Sequence, residues 1–389
     1  MSKMLSNIAL RNLLQKTSQI VASSCNKFSS NITAEAYLSP QSFNDGLHGV
    51  PGHNIDTPHV PVMVNEVLSM LDIHPGKTIL DLTFGAGGHS RRILESCGDV
   101  NVIGLDRDPV AFSYAQKMQE NFGQRFTPLL GRFSEVPRLF QQHGISSVDG
   151  ILLDLGCSSM QFDDASRGFS ISRDGPLDMR MDGTRFPDQP TAADVLQHIE
   201  EHHLAKILKY YGEEKQAKKL ARAIIEARYM FKRLKTTSEL AYLVESVLDT
   251  EKRLDKLARP THVATKTFQA IRIFVNNEIN ELNQIMEIAH KVLNPGGKLV
   301  VLSFHSLEDR VVKRHLVGID MDEPASKSMS QKYRNAFNWH NPDNVGEIFN
   351  KNWSVVNKHV LTPEFNEVES NPRSRSAKLR CAIKNQNNI

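Results

Sequence analysis

The chain has 389 residues, 40% of them apolar, enough to bury one large core or two modest ones. Its formal net charge is only +3, so overall charge selects no partner class. Cysteines at 25, 97, 157 and 381 are far apart and form no CxxC pair, which argues against a metal site or a disulfide framework and fits reduced thiols. No apolar run approaches the roughly 20 residues that span a bilayer, so a soluble protein with no membrane partner is expected.

The first 34 residues hold no Asp or Glu, while Lys3, Arg11, Lys16 and Lys27 punctuate a Ser- and Asn-rich background. Leu5, Ile8, Leu13, Leu14 and Ile20 can share one helical face. That pattern predicts a mitochondrial presequence over 1–30, cleaved near Phe28 to Ser30, with an extended leader over 31–57. Order is expected from His59, where Val64, Val67, Leu68 and Leu71 predict a helix ended by Pro75-Gly76.

Next comes TILDLTFGAGGHS, residues 78–90: an apolar run closing on Asp81, then a turn containing Gly85, Gly87 and Gly88. This reads as strand, tight turn and helix start, with glycines that let a nucleotide-like ligand approach the backbone. A helix over 88–96, a strand over 100–106 ending on Asp106, a helix over 109–121, a strand over 126–130, a helix over 135–143 and a strand over 148–155 follow. Strands alternating with helices predict a doubly wound, mostly parallel α/β sheet. Residues 165–190 read as a loop rich in Gly, Asp, Arg and Pro. From Thr191 to about Arg259 the pattern is purely helical, with caps at Thr191 and Thr236, and predicts an insertion. One long helix over 264–293, a stop at Asn294-Pro-Gly-Gly297, a strand over 298–304 and a terminal strand pair over 355–361 and 377–383 complete the expected elements.

Strand, glycine turn and an acid some 20 residues on are shared by dinucleotide and S-adenosylmethionine sites. The position where a dinucleotide turn carries its third glycine is Ser90, and the Leu-Asn-Pro-Gly-Gly stop before the fifth strand is usual in adenosylmethionine folds. Both favour adenosylmethionine. Asp81, Asp106 and Asp154 all fall at strand carboxyl ends, where parallel sheets bind ligands. Asp106 is placed to accept both ribose hydroxyls, although it and Asp154 also fit as turn or cap residues. Phe133 fits the core as well as an adenine shelf.

HVPVMVNEVL at 59, DLTFGAGGHS at 81, LLDLGCSSMQFDDASRGFS at 152, GPLDMRMD at 175, TFQAIRIFVNNEI at 267, SFHSLEDRVVK at 303 and NPRSRSAKLR at 371 resemble the RsmH/MraW family of small-subunit rRNA cytosine-N4 methyltransferases. The likeness runs in order from about 59 to 384. It implies a Rossmann-like class I methyltransferase fold with an inserted all-helical domain: catalytic parts at 58–165 and 264–389, and an insertion for the RNA substrate at 166–263. It also implies S-adenosyl-L-methionine as cofactor, held by Gly87, Gly88, His89, Asp106, Phe133, Asp154 and Gln161. The target amine would lie near Asp154 and Ser158, with His305, Glu308 and Asp309 as further candidates that also fit a capped helix start. With the presequence, the chain resembles a mitochondrial member acting in the matrix on small-subunit rRNA or the pre-ribosomal small subunit. Lys266 stands where the family usually has Arg, and Met160 where it usually has Pro.

Lys206, Lys209, Lys215, Lys218, Lys219, Arg222, Arg228, Lys232, Arg233 and Lys235 outnumber Glu213, Glu214 and Glu226 in the insertion, and Arg373, Arg375, Lys378 and Arg380 form a second basic run. Such clusters suit phosphate neutralisation, and equally a solvated helix face. Phe169 or a neighbour is expected to stack on the RNA. Two other readings remain: an RNA-binding assembly factor without catalysis, and a small-molecule methyltransferase or NAD-linked dehydrogenase with no use for the basic insertion.

Overall fold

The chain alternates short helices and strands, and a computed structural model describes residues 61–230, 233–248, 261–318, 352–357 and 359–386. The expected presequence and leader lie outside the described residues, as do 320–350 and the insertion's end before Arg259.

Helix α1 (Val64–Leu71) precedes β1 (Thr78–Asp81), α2 (Gly88–Ser96), β2 (Asn101–Asp106), α3 (Pro109–Phe122), β3 (Phe126–Leu130), α4 (Val136–His143) and β4 (Val148–Asp154). Asp108 starts α3 by accepting the Val110 N–H at 3.0 Å, with Pro109 in the first turn, where its missing N–H costs nothing. After α5 (Ser159–Asp163) and an irregular stretch come the helices of the insertion: α6 (Ala192–His198), α7 (Glu201–Tyr210), α8 (Ala217–Met230) and α9 (Thr237–Val247). Thr191 with Asp194 and Thr236 with Glu239 form the expected capping boxes.

The sheet resumes through α10 (Thr265–Val275), α11 (Glu278–Val292), β5 (Leu293–Ser303), α12 (Ser306–Val317), β6 (Trp353–Val355), α13 (Phe365–Ser370) and β7 (Lys378–Lys384). Among the described residues the strands form one sheet in the order β3-β2-β1-β4-β5-β7-β6. The pairings from β3 to β5 are parallel, and β7 runs antiparallel to both β5 and β6. Side chains alternate between its faces: Leu80, Ile103, Leu105, Ile151 and Leu153 pack with α4, α11 and α12. Ile79, Val102, Leu152, Val300 and Leu302 pack on the other face with α1, α2 and α3. A third core joins the insertion's helices to Phe268, Ile271 and Val275 of α10.

Three expectations are corrected. The long helix over 264–293 is two helices, because Asn277 takes a left-handed φ of 54° and buried Asn276 turns its amide onto another segment. Asn276 Oδ1 accepts the Met181 N–H at 2.7 Å, and its Nδ2 donates to the Met179 carbonyl at 2.7 Å. The fifth strand begins at Leu293, which pairs with Val148; Asn294 to Gly297 loop out before Lys298 pairs with Gly150. The strand expected over 355–361 is Trp353–Val355, with Leu361 making only an isolated bridge to Leu379.

Replacing Asn276 by Ala strips partners from a buried N–H and a buried carbonyl, so Asn276→Ala is expected to lose about 2 kcal/mol, read as a lower denaturant midpoint with unchanged slope.

Candidate active site

Strand order reverses between β1 and β4: β2 lies outside β1 and β5 outside β4. A crevice opens at such a switch point beyond the strands' carboxyl ends, and Asp81, Asp106 and Asp154 end the three strands nearest it.

The turn after β1 is shaped by close contact. Gly87 has φ 81°, and a Cβ there would lie 2.5 Å from Met118 Cε and 2.6 Å from Phe84 Cζ. Only glycine fits. Gly88 packs on Pro61, whose Cγ would be 3.1 Å from a Cβ. Ser90, the residue that breaks the dinucleotide pattern, is fully buried and donates its hydroxyl to Asp81 at 2.7 Å. Asp81 also accepts the Thr83 N–H at 3.1 Å; burial, only partly offset by these bonds, pushes its carboxyl up to about 6. Asp81 thus holds the turn from beneath.

Asp106 ties the same turn to β2. One carboxylate oxygen accepts the Gly85 N–H at 2.7 Å and the other the Asp108 N–H at 2.9 Å. Burial outweighs these bonds, and with the charges of Asp108 and Asp81 raises its carboxyl to about 6. The Asp106 carbonyl accepts the Gly131 N–H at 2.9 Å, which brings half-buried Phe133, just past β3, to this end of the sheet. Phe133 also packs against the core beneath.

Asp154 closes the other wall. Its N–H donates to Thr83 Oγ1 at 2.7 Å, and its carboxylate lies 3.7 Å from Nε2 of buried His89 in the first turn of α2. Its Oδ1 is buried with no hydrogen-bond partner among the described residues. Burial, then the charges of Asp81 and Glu308, push this carboxyl up to about 8. An orphaned acceptor among like charges fits a ligand that brings positive charge and donors. The sulfonium and ammonium of S-adenosylmethionine have that chemistry.

Ser158 and Gln161 lie beside the turn but serve the backbone: Ser158 caps α5, accepting the Gln161 N–H at 3.3 Å, while Gln161 Oε1 accepts the Ser158 N–H at 3.1 Å. Gln161 Nε2 donates to Asp108 at 2.8 Å, so buried Gln161 braces the loop after β2. Ser158 Cβ would be 3.7 Å from a Cβ on Gly85, so the loops after β4 and β1 touch.

Of the other candidates, His305 and Glu308 form a capping box on α12, and Glu308 also accepts the Phe304 N–H at 2.9 Å. Asp309 pairs with Arg380 at 2.7 Å. Phe169, expected to stack on RNA, is 4% exposed in the insertion's core because apolar side chains from α6 to α10 surround it. The basic runs are partly neutralised: Arg373 pairs with Asp163 at 2.9 Å, Arg222 lies 3.7 Å from Glu201, and Arg233 pairs with Asp194. Arg228 donates to the carbonyls of Gln197 in the last turn of α6 and Ile199 just past it. Lys209, Lys215, Lys218 and Lys219 are exposed around the α7–α8 turn.

The sequence reading assigned no role to a knot around Asp182, which is fully buried within GPLDMRMD. Arg132 reaches it through Nε at 3.1 Å and Nη2 at 3.0 Å, Arg107 through Nε at 3.1 Å, and Arg185 lies 3.7 Å away. Burial works against ionisation, but Arg107 and Arg132 outweigh it and hold this carboxyl below the usual range. Arg167 adds a second tie, donating to Asp108 at 2.8 Å and to the Arg180 and Met181 carbonyls at 3.1 Å. The signal was present, since a motif of alternating acids, Met and Arg is unusual for a free loop, but its partners Arg132 and Arg107 lie 50 and 75 residues away.

The model of the MraW methylase family matches residues 56–385. A Drosophila melanogaster protein named probable methyltransferase-like protein 15 homolog is 52% identical over 331 residues, 84% of this chain and 92% of its own length. The human 12S rRNA N(4)-cytidine methyltransferase METTL15 is 48% identical over 336 residues, 84% of this chain and 82% of its own. The ribosomal RNA small subunit methyltransferase H of Parvibaculum lavamentivorans is 44% identical over 332 residues, 85% of this chain and 91% of its own.

Between the unfolded carboxyl value of about 4 and the folded value of about 8, Asp154 keeps a proton that the unfolded chain lacks. Its contribution therefore falls as pH rises through that window. Asp154→Asn removes the penalty, so its stability relative to wild type is expected to be more favourable at pH 8 than at pH 5 in denaturant titrations of the ligand-free protein.

Proposed function

The chain belongs to the MraW methylase family, and from that premise we propose that it transfers the methyl group of S-adenosylmethionine to N4 of a cytidine in mitochondrial small-subunit ribosomal RNA. The reaction would occur in the matrix, on the RNA or the pre-ribosomal small subunit, and support subunit assembly and translation. The observation that carries this reading is the Asp154 Oδ1 at the switch point, buried without a hydrogen-bond partner among the described residues, while Oδ2 lies 3.7 Å from His89 just past the glycine turn. Relatives named for 12S rRNA cytidine methylation and for small-subunit rRNA methylation support the substrate.

In this reading Asp106 accepts the ribose hydroxyls, Gly87, Gly88 and His89 hold the methionine end, and Phe133 lies beside the adenine. Asp154 and Gln161 complete the cofactor wall, Gln161 by fixing the loop that carries Ser158. Bound donor supplies an electrophilic methyl on a sulfonium. The chain's own work is in-line placement and handling of the amino protons. With the donor's positive charge alongside, Asp154 would be held as the carboxylate despite Asp81 and Glu308, and would accept a hydrogen bond from the cytosine amine that turns its lone pair toward the methyl. Ser158 lies within reach of the same amine. The target base is splayed into the crevice to meet the donor.

The domain division follows the same logic. Residues 58–165 and 264–389 carry the methyltransferase sheet, and 166–263 the helical insertion, whose exposed Lys209, Lys215, Lys218 and Lys219 neutralise RNA phosphates.

The test is tritiated-methyl transfer to a small-subunit rRNA fragment, with donor affinity measured directly. Wild type is expected to label the RNA, and Asp106→Ala to bind donor at least roughly tenfold more weakly. Unlabelled RNA with donor bound would overturn the catalytic reading.

A further inference from the structure

The insertion meets the catalytic sheet on both sides of the crevice. On one side the Asp182 knot joins it to the loops after β2 and β3. On the other, the α7–α8 turn reaches α12, which starts just past the end of β5. The second contact centres on Glu213. Ser306, the first residue of α12, donates its hydroxyl to Glu213 Oε2 at 2.6 Å, and Arg310, one turn on, donates to Oε1 at 2.8 Å. Lys266 of α10 donates to the Glu213 carbonyl at 3.2 Å, so the lysine that replaces the family's usual arginine is used here.

The turn itself is tightly held. A Cβ on Gly212 would lie 2.6 Å from the Lys266 carbonyl, Gln269 Nε2 donates to the Tyr211 carbonyl at 3.3 Å, and the Glu214 N–H donates to the Leu208 carbonyl at 3.1 Å. Glu213 sits at φ 49°, a left-handed conformation that costs a residue with a Cβ. Glycine would fit that backbone better, so the carboxylate is what the position retains. Lys209, Lys215 and Lys218 are exposed on the same turn and its flanks.

We propose that Glu213 is a positioning residue for the RNA: its clasp on Ser306 and Arg310 fixes the lysine-bearing α7–α8 turn at the β5 side of the crevice, so that phosphate contacts are made in register with the base pocket. This rests on the reading of the protein as an RNA methyltransferase. The clasp bridges two separately packed bodies, the insertion's core and the sheet with α12. Losing it leaves both folded and lets their relative setting relax. The contrary role has the opposite sign: as a mere bystander acid among phosphate-binding lysines, Glu213 would repel RNA and its removal would improve binding.

The experiment uses the full chain, with methyl transfer to a small-subunit rRNA fragment, direct measurement of donor affinity and thermal melting, for Glu213→Gln, Glu213→Gly and Ser306→Ala. Expected for Glu213→Gln is a roughly tenfold lower kcat/KM for RNA, a shallower dependence of KM on salt, and donor affinity within about twofold of wild type. Glu213→Gly, which relieves the left-handed backbone, is expected to melt no lower than wild type yet to be as slow as Glu213→Gln. Adding Ser306→Ala to Glu213→Gln is expected to cost little more, since the two act through one contact. Unchanged or improved kcat/KM in Glu213→Gln, or full additivity with Ser306→Ala, overturns the clasp. Wild type that binds donor but labels no RNA defeats instead the reading on which the clasp rests.

Discussion

A fully buried carboxylate, Asp182, holds this molecule's two bodies in one arrangement. Alone in the interior it would be unaffordable. Arg107 from the loop after β2, Arg132 from the loop after β3 and Arg185 from its own segment neutralise it. Breaking such a pair by removing one partner typically costs about 3–5 kcal/mol, because a buried charge is left uncompensated. The knot therefore fixes geometry more than it adds net stability. It converts an irregular, Gly- and Pro-rich stretch into a strap across the carboxyl end of the sheet. Arg167 on Asp108 and Asn276 on Met179 and Met181 pull in the same direction. The described insertion helices α6 to α9 lie in the chain between that strap and α10, and share a core with α10.

With the strap in place, the chemistry concentrates at the reversal between β1 and β4. Asp81, Asp106 and Asp154 crowd three carboxyls into one crevice, and burial raises the proton affinity of all three. Asp81 and Asp106 spend their oxygens on the turn: Ser90 and Thr83 close on one, Gly85 and Asp108 on the other. Asp154 alone of the three keeps an oxygen without a hydrogen-bond partner among the described residues. Asp81 and Asp106 hold the turn, and Asp154 keeps an acceptor to spare for what lies in the crevice. A methylase site needs that division of labour, since an electrophilic cation must be held rigidly beside a weakly nucleophilic amine.

How much of this was legible in the sequence follows from contact range. Local signals were readable: Asp108-Pro109 as a helix start, Thr191 and Thr236 as caps, and strands ending on acids. The glycine turn was readable as a ligand-facing turn, and Ser90 as a departure, but its bond to Asp81 was not. The periodicity across 264–293 continues through Asn276-Asn277, so nothing local marked the break; its cause is a hydrogen bond to residues almost a hundred positions away. Phe169 looked like a stacking ring because an aromatic in a polar loop carries no record of the helices that enclose it. Arg380 and Arg373 looked like phosphate ligands because Asp309 and Asp163 are distant in sequence. Ser158 and Gln161 were singled out as contacts, and the structure shows both committed to the loop that carries them. The family resemblance supplied what periodicity could not, and the match over 56–385 makes that membership firm.

The central claim is that a carboxyl-lined switch-point crevice in a methylase fold serves cytosine N4 in ribosomal RNA. Its most direct test is nucleoside mass spectrometry of a mitochondrial small-subunit rRNA transcript incubated with the full-length protein and S-adenosylmethionine. The account predicts N4-methylcytidine, absent when the donor is omitted. A methyl group on another base or on ribose, or none in a preparation that binds the donor, would contradict it.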